Sequence, residues 1–309
     1  MKHIFVVNPM AGGCDSSESI AKALADLHID SELYTTREPR DATRYVADRL
    51  AGAADGPLRF YSCGGDGTLN EVVSGVMLAS QSSGGCLPAA VEVACYPCGS
   101  GDDFVRYWQG VPFADLQALV EGTPVPVDVM RLGDRYCVNT LNYGFEAAVC
   151  HTMARVRRFP VAGGRMAYTS GIVASLATGR HNRCRVTVDG EPWLDGEVLL
   201  LSVANGQYAG GGYHCAPRAK NDDGLLEVMA VKPMSILRFV QLIKYYKSGE
   251  LLDREELRSL VSYRRGSSIT ISPQADSYVA TDGEIVPGNC FEVRCLHHAV
   301  RFVIPKHVC

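Results

Sequence analysis

The chain has 309 residues, of which 47% are hydrophobic and 21% charged, a composition that excludes a disordered or collagen-like protein. This length exceeds the size at which a single hydrophobic core keeps growing, so two domains are expected. The formal net charge of -4 gives no global reason to expect nucleic-acid binding, and any contact with an anionic partner must come from a local patch.

The first part of the chain alternates between apolar strands and amphipathic helices. Strands are predicted at 3–7, 31–35, 58–63 and 90–96. Helices are predicted around 20–27, at 41–51, at 69–77 and from about Phe104 onward. Strand–helix alternation at this spacing favours a parallel sheet covered by helices, which is the α/β class.

The pattern of predicted secondary structure changes after residues 122–126, GTPVP. Short strand-like runs then dominate, at 127–132, 135–140, 184–188, 197–204, 225–231 and 268–271. This pattern indicates an antiparallel, β-rich, sandwich-like second domain. We therefore predict an α/β domain at 1–126, to which residues 296–309 return, and a β-rich domain at 127–295.

The cysteines and the N-terminus bear on the cellular compartment. Twelve cysteines are scattered through apolar runs, which favours reduced, buried thiols, and the C-x-x-C spacing of Cys95 and Cys98 is better explained by the turn that follows. The apolar run at 3–7 is too short for a signal peptide, and none reaches the roughly 18 to 20 residues that span a bilayer. We expect a cytoplasmic protein with peripheral membrane contact.

Three glycine-containing turns follow predicted strands, at 8–13 (NPMAGG), 63–71 (CGGDGTLNE) and 99–104 (GSGDDF). The second lacks the Lys-Ser/Thr ending of a Walker A loop, and the third lacks the last glycine of a dinucleotide fingerprint. Glycine still lets backbone N–H groups approach phosphate oxygens, and a helix N-terminus adds partial positive charge. One such turn is explained as a tight connection, but three at the carboxyl edge of one sheet favour a phosphate site.

Five segments, in order, resemble the bacterial diacylglycerol kinase-like lipid kinases, whose relatives include sphingosine and ceramide kinases. They are NPMAGG at 8–13, GGDGTLNE at 64–71, PCGSGDDF at 97–104 with Arg106, GGGYHCAPRAKNDDGLLEV at 210–228 and TDGE at 281–284. The resemblance covers nearly the whole chain. It implies a three-layer α/β domain with a mostly parallel, NAD kinase-like sheet, followed by the β-rich domain. It also implies ATP- and magnesium-dependent phosphorylation of a lipid hydroxyl, with diacylglycerol as the default substrate in phospholipid biosynthesis.

The resemblance implies which residues contact ATP. They are Asn8, Pro9, Gly12, Thr36, Gly65, Asp66, Gly67, Thr68, Asn70, Glu71, Ser100 and Asp103. Thr36 is placed by its spacing to the helix start at Asp41. The family's usual G-T-x-N-D becomes Gly99-Ser-Gly-Asp-Asp103 here, so Ser100 keeps the hydroxyl while Asp102 replaces an amide by a negative charge.

The resemblance also implies a metal loop and a base. In the loop at 220–225, KNDDGL, the implied magnesium ligands are the carboxylate of Asp223 and the backbone carbonyls of Lys220 and Leu225; oxygen ligands suit this hard cation. Asp282 and Glu284 are the implied catalytic residues, with Glu284 accepting the proton of the lipid hydroxyl. A second tripeptide of this kind, Asp189-Gly-Glu191, is interpreted as a hairpin turn without catalysis.

Two further features bear on lipid or metal binding. Residues 232–247 predict a basic amphipathic helix, which either covers its own domain, the favoured interpretation, or lies on an anionic membrane. Its predicted apolar face consists of Ile236, Phe239, Val240, Ile243 and Tyr246. The adjacent His297 and His298 are interpreted as surface or strand packing rather than as a metal site.

Alternatives remain open at this point. NAD kinases also use a GGDGT turn, the lipid could be a sphingoid base, ceramide or phosphatidylglycerol, and a non-catalytic nucleotide- or lipid-binding module would share these motifs. The expected partners are ATP, a lipid and a membrane surface, with no nucleic acid. The sequence is compatible with a homodimer.

Overall fold

The computed structural model describes residues 1–13, 15–52, 56–84, 90–156 and 181–306. The chain divides into two compact units, one formed by Met1–Val129 with Leu296–Cys309 and the other by Met130–Cys295. The domains expected at 1–126 with 296–309 and at 127–295 stay a prediction. The predicted fold class, a mostly parallel α/β part followed by an antiparallel β-rich part, is confirmed.

The first unit is built on a parallel sheet. Its strands are β1 (Lys2–Val7), β2 (Ser31–Thr35), β3 (Leu58–Gly64) and β4 (Val91–Pro97), in the order β2–β1–β3–β4. Its helices are α1 (Ser17–Leu27), α2 (Asp41–Ala51), α3 (Asp66–Ser82) and α4 (Leu116–Val120). Every residue of β3 is buried, which is typical of a parallel strand covered by helices on both faces of its sheet.

The second unit contains an antiparallel sheet of six strands. In spatial order these are β12 (Val261–Gly266), β11 (Leu226–Val231), β10 (Leu200–Ala204), β7 (Thr140–Gly144), β14 (Ser277–Thr281) and β15 (Glu284–Gly288). A second layer contains β13 (Ser268–Pro273), β8 (Asn182–Val188), β9 (Glu191–Val198) and the start of β16 (Phe291–Ile304). The remaining elements are β5 (Thr123–Leu132) with its hairpin partner β6 (Arg135–Cys137), and the helices α5 (Phe145–Val156) and α6 (Ile236–Ser248).

The core of the second unit lies between these two layers. Alternate residues of the six-stranded sheet, such as Leu141 and Val203, meet alternate residues of the other layer, such as Val186 and Ile271. The opposite face of the six-stranded sheet packs under α6 through Phe239 and its neighbours. Because β10 and β11 are therefore covered on both faces, all of their residues are buried.

Two sequence-based predictions were wrong in detail. The helix expected from Phe104 is only a 3-10 turn, Phe104–Tyr107, because Gly110 takes a φ of 79° and Pro112 follows, so regular structure resumes at α4. The single strand expected at 197–204 is two strands, since β9 ends at Val198 and β10 begins at Leu200 in the six-stranded sheet. Among the described residues, none of the helices is long and apolar enough to cross a membrane.

Candidate active site

The three glycine-containing turns of the first unit meet at the carboxyl edge of its sheet. The backbone N–H of Asn8 donates to the carbonyl of Cys63 at 2.9 Å, and the N–H of Cys98 donates to the carbonyl of Gly64 at 2.9 Å. Each turn is thus bonded to the end of the neighbouring strand. The edge where sequence reasoning expected phosphate binding therefore carries all three turns side by side.

Glycine is required where these turns touch. A Cβ on Gly99 would lie 2.5 Å from the Cα of Gly65, which is too close for two carbon atoms that are not bonded to each other. Gly12 has a φ of 62°, and a Cβ there would overlap the carbonyl oxygen of Cys98. Backbone therefore packs directly on backbone where the turns meet.

Asp66 links two of the turns. It is the first residue of α3, and its carboxylate accepts hydrogen bonds from the backbone N–H groups of Asp103 and Phe104, each at 3.0 Å. Both of its oxygens are thereby engaged by the neighbouring turn. The aspartate of the GGDGT segment consequently holds the third turn in place.

The two acidic residues of the third turn differ in environment. Asp102 has a φ of 48°, and its Oδ1 accepts the N–H of Gly99 at 3.0 Å. Burial, followed by the nearby charge of Asp66, raises the pKa of Asp102 to about 6. Asp103 is buried and lies 3.4 Å from the Nε of Arg106, which also donates to the Gly101 carbonyl.

Other residues predicted at the ATP site take local bonds. The Nδ2 of Asn8 donates to the Oγ1 of Thr68 at 3.1 Å, which joins the first turn to α3. Glu71 accepts the N–H groups of Arg40 and Ala42 at 2.9 and 3.2 Å and so fixes the start of α2. Thr36 follows β2, and its N–H donates to the carbonyl of Val7 at 2.8 Å.

The other residues predicted to contact ATP lie along the surface of the same turns. Gly67 and Ser100 are exposed, and Pro9 and Asn70 are partly exposed. The Oδ1 of Asn70 accepts a long hydrogen bond of 3.5 Å from the Ser74 hydroxyl. These positions are open to a ligand approaching the carboxyl edge.

In the second unit, Asp282 and Glu284 lie on the hairpin between β14 and β15. Asp282 and Gly283 both have positive φ, 45° and 87°, as in the tight turns that Asp-Gly favours. The Asp282 carboxylate accepts the N–H groups of Val138, Asn139 and Thr140 at 2.7, 3.1 and 2.9 Å. Asp282 therefore anchors the turn to the chain that enters β7.

Glu284 is exposed at the start of β15, and its Oε2 lies 3.5 Å from Nη1 of Arg135. Arg135 also borders a cavity of about 560 Å³. The cavity is lined by the three arginines Arg131, Arg135 and Arg294, by acidic Asp134 and Glu292, and by apolar side chains that include Leu132, Val286 and Phe291. A polar group and an adjoining apolar chain could both be accommodated there.

The predicted hairpin role of Asp189-Gly-Glu191 agrees with the structure. Asp189 and Gly190 have φ values of 52° and 82° in the β8–β9 hairpin, and Asp189 accepts the N–H groups of Ser267 and Ser268. This turn thus matches the one at Asp282 in backbone and anchoring. It differs at the glutamate, because Glu284 faces an arginine while Glu191 forms no ion pair within the described part of the chain.

The predicted magnesium loop lies before β11. Asp223 accepts the N–H of Leu225 at 3.1 Å and forms an ion pair with Arg265. The Nε of Arg265 also lies 2.8 Å from Glu227, whose pKa is raised by burial. A carboxylate and two backbone carbonyls fit a hard cation. If Asp223 binds such a cation, Arg265 still has Glu227 as an ion-pair partner.

Sequence reasoning missed Arg135 and Arg265. Arg135 is 149 residues from Glu284, so no local pattern relates them. Arg265 could have been found from strand register, because it lies directly opposite Glu227 in the β11–β12 pair. Opposite charges at such cross-strand positions are a recognised stabilising pair.

The profile of the diacylglycerol kinase catalytic domain matches residues 2–132, and that of the YegS C-terminal NAD kinase beta sandwich-like domain matches 139–304. The probable lipid kinase YegS-like of Yersinia enterocolitica is 26% identical over 98% of this chain and 97% of its own length. Its Stenotrophomonas maltophilia counterpart is 27% identical over 97% and 95%. The chain belongs to the YegS and diacylglycerol kinase family of lipid kinases.

Solved structures agree with the fold. A diacylglycerol kinase of Bacillus anthracis strain Sterne matches with a TM-score of 0.70 at 24% identity, over 98% of this chain and 96% of that one. Yeast NADH kinase matches with a TM-score of 0.54 at 10% identity, over 100% and 84%. Both similarities concern the arrangement of elements alone.

Proposed function

We propose that this chain transfers the γ-phosphoryl group of ATP to the hydroxyl of diacylglycerol, giving phosphatidic acid and ADP. The observation that carries the kinase part is the meeting of three glycine-containing turns at one sheet edge, with Gly65 and Gly99 in backbone contact. Membership of a lipid kinase family supports the lipid acceptor. ATP as donor follows from the same membership.

The phosphates of ATP would lie on the main-chain N–H groups of the turns. The N-terminus of α3, at Gly65 to Thr68, adds the positive end of a helix dipole. The exposed hydroxyl of Ser100 offers one further donor. Asp66, Glu71 and Asn8 then act as positioning residues, because their side chains bond to the turns themselves.

Glu284 is proposed to accept the proton of the lipid hydroxyl while the oxygen of that hydroxyl forms a bond to the γ-phosphorus. The bond from the γ-phosphorus to the β–γ bridging oxygen breaks, and ADP leaves with that electron pair. Arg135, whose Nη1 lies 3.5 Å from its Oε2, orients the Glu284 carboxylate. Asp282 positions the hairpin that carries the base, since its carboxylate bonds to three backbone N–H groups.

Magnesium would be held by Asp223 with the carbonyls of Lys220 and Leu225, and when bound it neutralises charge on the phosphates. The donors are all oxygens, as a hard cation requires. Without the ion, Arg265 compensates the charge of Asp223, and it keeps Glu227 as a partner when Asp223 binds the ion.

Replacing Asp223 by Asn should remove the stabilisation that magnesium gives the ATP complex. A ligand at 100 times its Kd stabilises a protein by about 2.7 kcal/mol, and the variant lacks the charged ligand that supplies this effect. Thermal melting with ATP, with and without magnesium, measures it. Asp222→Asn, which removes the exposed neighbouring carboxylate, is the matched control. An unchanged magnesium shift in Asp223→Asn would rule out the site.

A membrane surface is proposed to contact α6. Its buried face is Phe239, Leu242 and Tyr246, a different set from the predicted apolar stripe. Ile236, Leu237 and Val240 are instead 43%, 72% and 58% exposed. The basic residues Arg238, Lys244 and Lys247 lie on the same helix, a combination suited to anionic lipid headgroups.

Leu237→Glu should weaken binding to vesicles of phosphatidylcholine with phosphatidylglycerol by at least about tenfold, because it replaces an exposed leucine that would insert among the lipids by a negative charge that the anionic surface repels. Co-sedimentation measures the bound fraction. Gln274→Glu, an equal charge change at an exposed position between β13 and β14, should bind like the wild type. Equal binding of all three proteins would exclude α6 as the contact.

The proposed function is tested by supplying labelled ATP and magnesium with dioleoylglycerol, sphingosine, ceramide, phosphatidylglycerol or NAD. We expect label in phosphatidic acid. Label only in another lipid would support the assignment as a lipid kinase and identify that lipid as the substrate instead of diacylglycerol. Label only in NADP would overturn the assignment, and ATP binding without transfer to any acceptor would support a non-catalytic module.

A further inference from the structure

Two neighbouring histidines on β16 lie on the same side of the strand. Successive side chains of a regular strand point to opposite faces, so His297 and His298 should diverge. His298 instead has a φ of 51°, a conformation that residues other than glycine seldom adopt. The two imidazole rings are stacked, with centroids 3.6 Å apart.

The irregularity brings both rings to a buried carboxylate. Asp128 on β5 is completely buried, and its Oδ1 accepts the N–H of His298 at 2.7 Å. The Nδ1 of His297 lies 2.9 Å from the same oxygen. A carboxylate without solvent requires such partners, which here are one imidazole and one backbone N–H.

We propose that Asp128, His297 and His298 bind a divalent transition-metal ion such as Zn²⁺. One ligand atom from each residue lies within 4.8 Å of the other two. Bonds of about 2.0 to 2.2 Å from an ion to nitrogen and oxygen require separations of this order, after a small rotation of the exposed rings. Both imidazoles are exposed, so an ion can enter and water can complete the coordination.

The chemistry of the donors separates this site from the magnesium loop. Imidazole nitrogen suits zinc, nickel, cobalt and copper, whereas the loop at 220–225 offers only oxygen. An ion at Asp128 would join β5 to β16 across 169 residues of sequence. The strained backbone of His298 then serves to direct its imidazole towards the ion as a second histidine ligand. A residue that only packed on the strand would not need a strained backbone.

The test is titration of the tag-free protein with Zn²⁺, and with Co²⁺ as a spectroscopic probe. We expect one ion per chain, a higher melting temperature and a cobalt spectrum without thiolate charge-transfer bands. In the double variant His297→Gln with His298→Gln, affinity should fall by at least about 100-fold. His181→Gln is the matched control, because His181 is an exposed histidine whose Nδ1 lies 2.7 Å from the single carboxylate of Glu197.

Wild-type affinity in the double variant would overturn the proposal, as would thiolate bands, which would assign the ion to cysteines. Loss of binding in His181→Gln as well would also count against it. Because both replaced histidines are exposed, the variants should fold, which circular dichroism verifies. Binding of metal by a single-histidine variant at wild-type strength would reduce the ligand set to two and likewise contradict the proposal.

Discussion

Replacing Glu284 by Gln should lower the turnover number for lipid phosphorylation by about 10²- to 10⁴-fold, with little change in the KM for ATP. Glutamine keeps the size of the side chain but cannot accept a proton. Both members of the Arg135–Glu284 pair are partly exposed, so its loss should change the free energy of unfolding by under about 1 kcal/mol. Steady-state kinetics and chemical unfolding measure the two effects separately.

The β8–β9 hairpin supplies the control for this experiment. Glu191 follows an Asp-Gly pair with the same backbone conformation as the pair before Glu284, and Asp189 is anchored by backbone N–H groups as Asp282 is. Glu191→Gln should therefore leave the turnover number unchanged. Full activity in Glu284→Gln would remove its role as base, and a large drop in its melting temperature would indicate a structural role instead.

The parts of the site that sequence predicts are those encoded locally. A buried strand followed by glycine and a helix start specifies where a turn lies, and parallel pairing brings all such turns to one edge. This argument correctly located the turns at 8–13, 63–71 and 99–104. The same local logic identified Asp189-Gly190 as a hairpin turn.

Partners distant in sequence could not be predicted in this way. Asp66, Glu71 and Asp282 stand in motif positions expected to face ATP or the lipid, yet each carboxylate accepts backbone N–H groups from a segment at least 29 residues away. Motif spacing specifies that a carboxylate is present, but the tertiary fold decides what it contacts. For His297 and His298, interpreted from sequence as surface or strand packing, the structure likewise adds a distant partner, Asp128, 169 residues away.

Replacing Asp66 by Ala should destabilise the protein by about 2 to 4 kcal/mol and abolish measurable ATP binding. Two backbone N–H groups, of Asp103 and Phe104, lose a charged acceptor. Hydrogen bonds to charged groups contribute about 1.5 to 3 kcal/mol each, and the sum is reduced here because Asp66 is partly exposed and water can replace it. The third turn would then lose its attachment to α3. Chemical unfolding and calorimetric titration with ATP measure the two losses.

Asp102→Asn is the matched control, because it removes a carboxylate from the third turn while its side-chain oxygen can still accept the N–H of Gly99.

The folded pKa of Asp102 is about 6, above an unfolded value near 3.9, so folding binds a proton between these pH values. The wild type therefore loses stability as pH rises from about 4 to 6 and regains none above. The asparagine variant should match the wild type at low pH and exceed its melting temperature above pH 6. If Asp102→Asn were instead as unstable as Asp66→Ala at pH 8, the lower stability would be a general result of changing the third turn. The specific role of Asp66 in holding this turn would then be disproved.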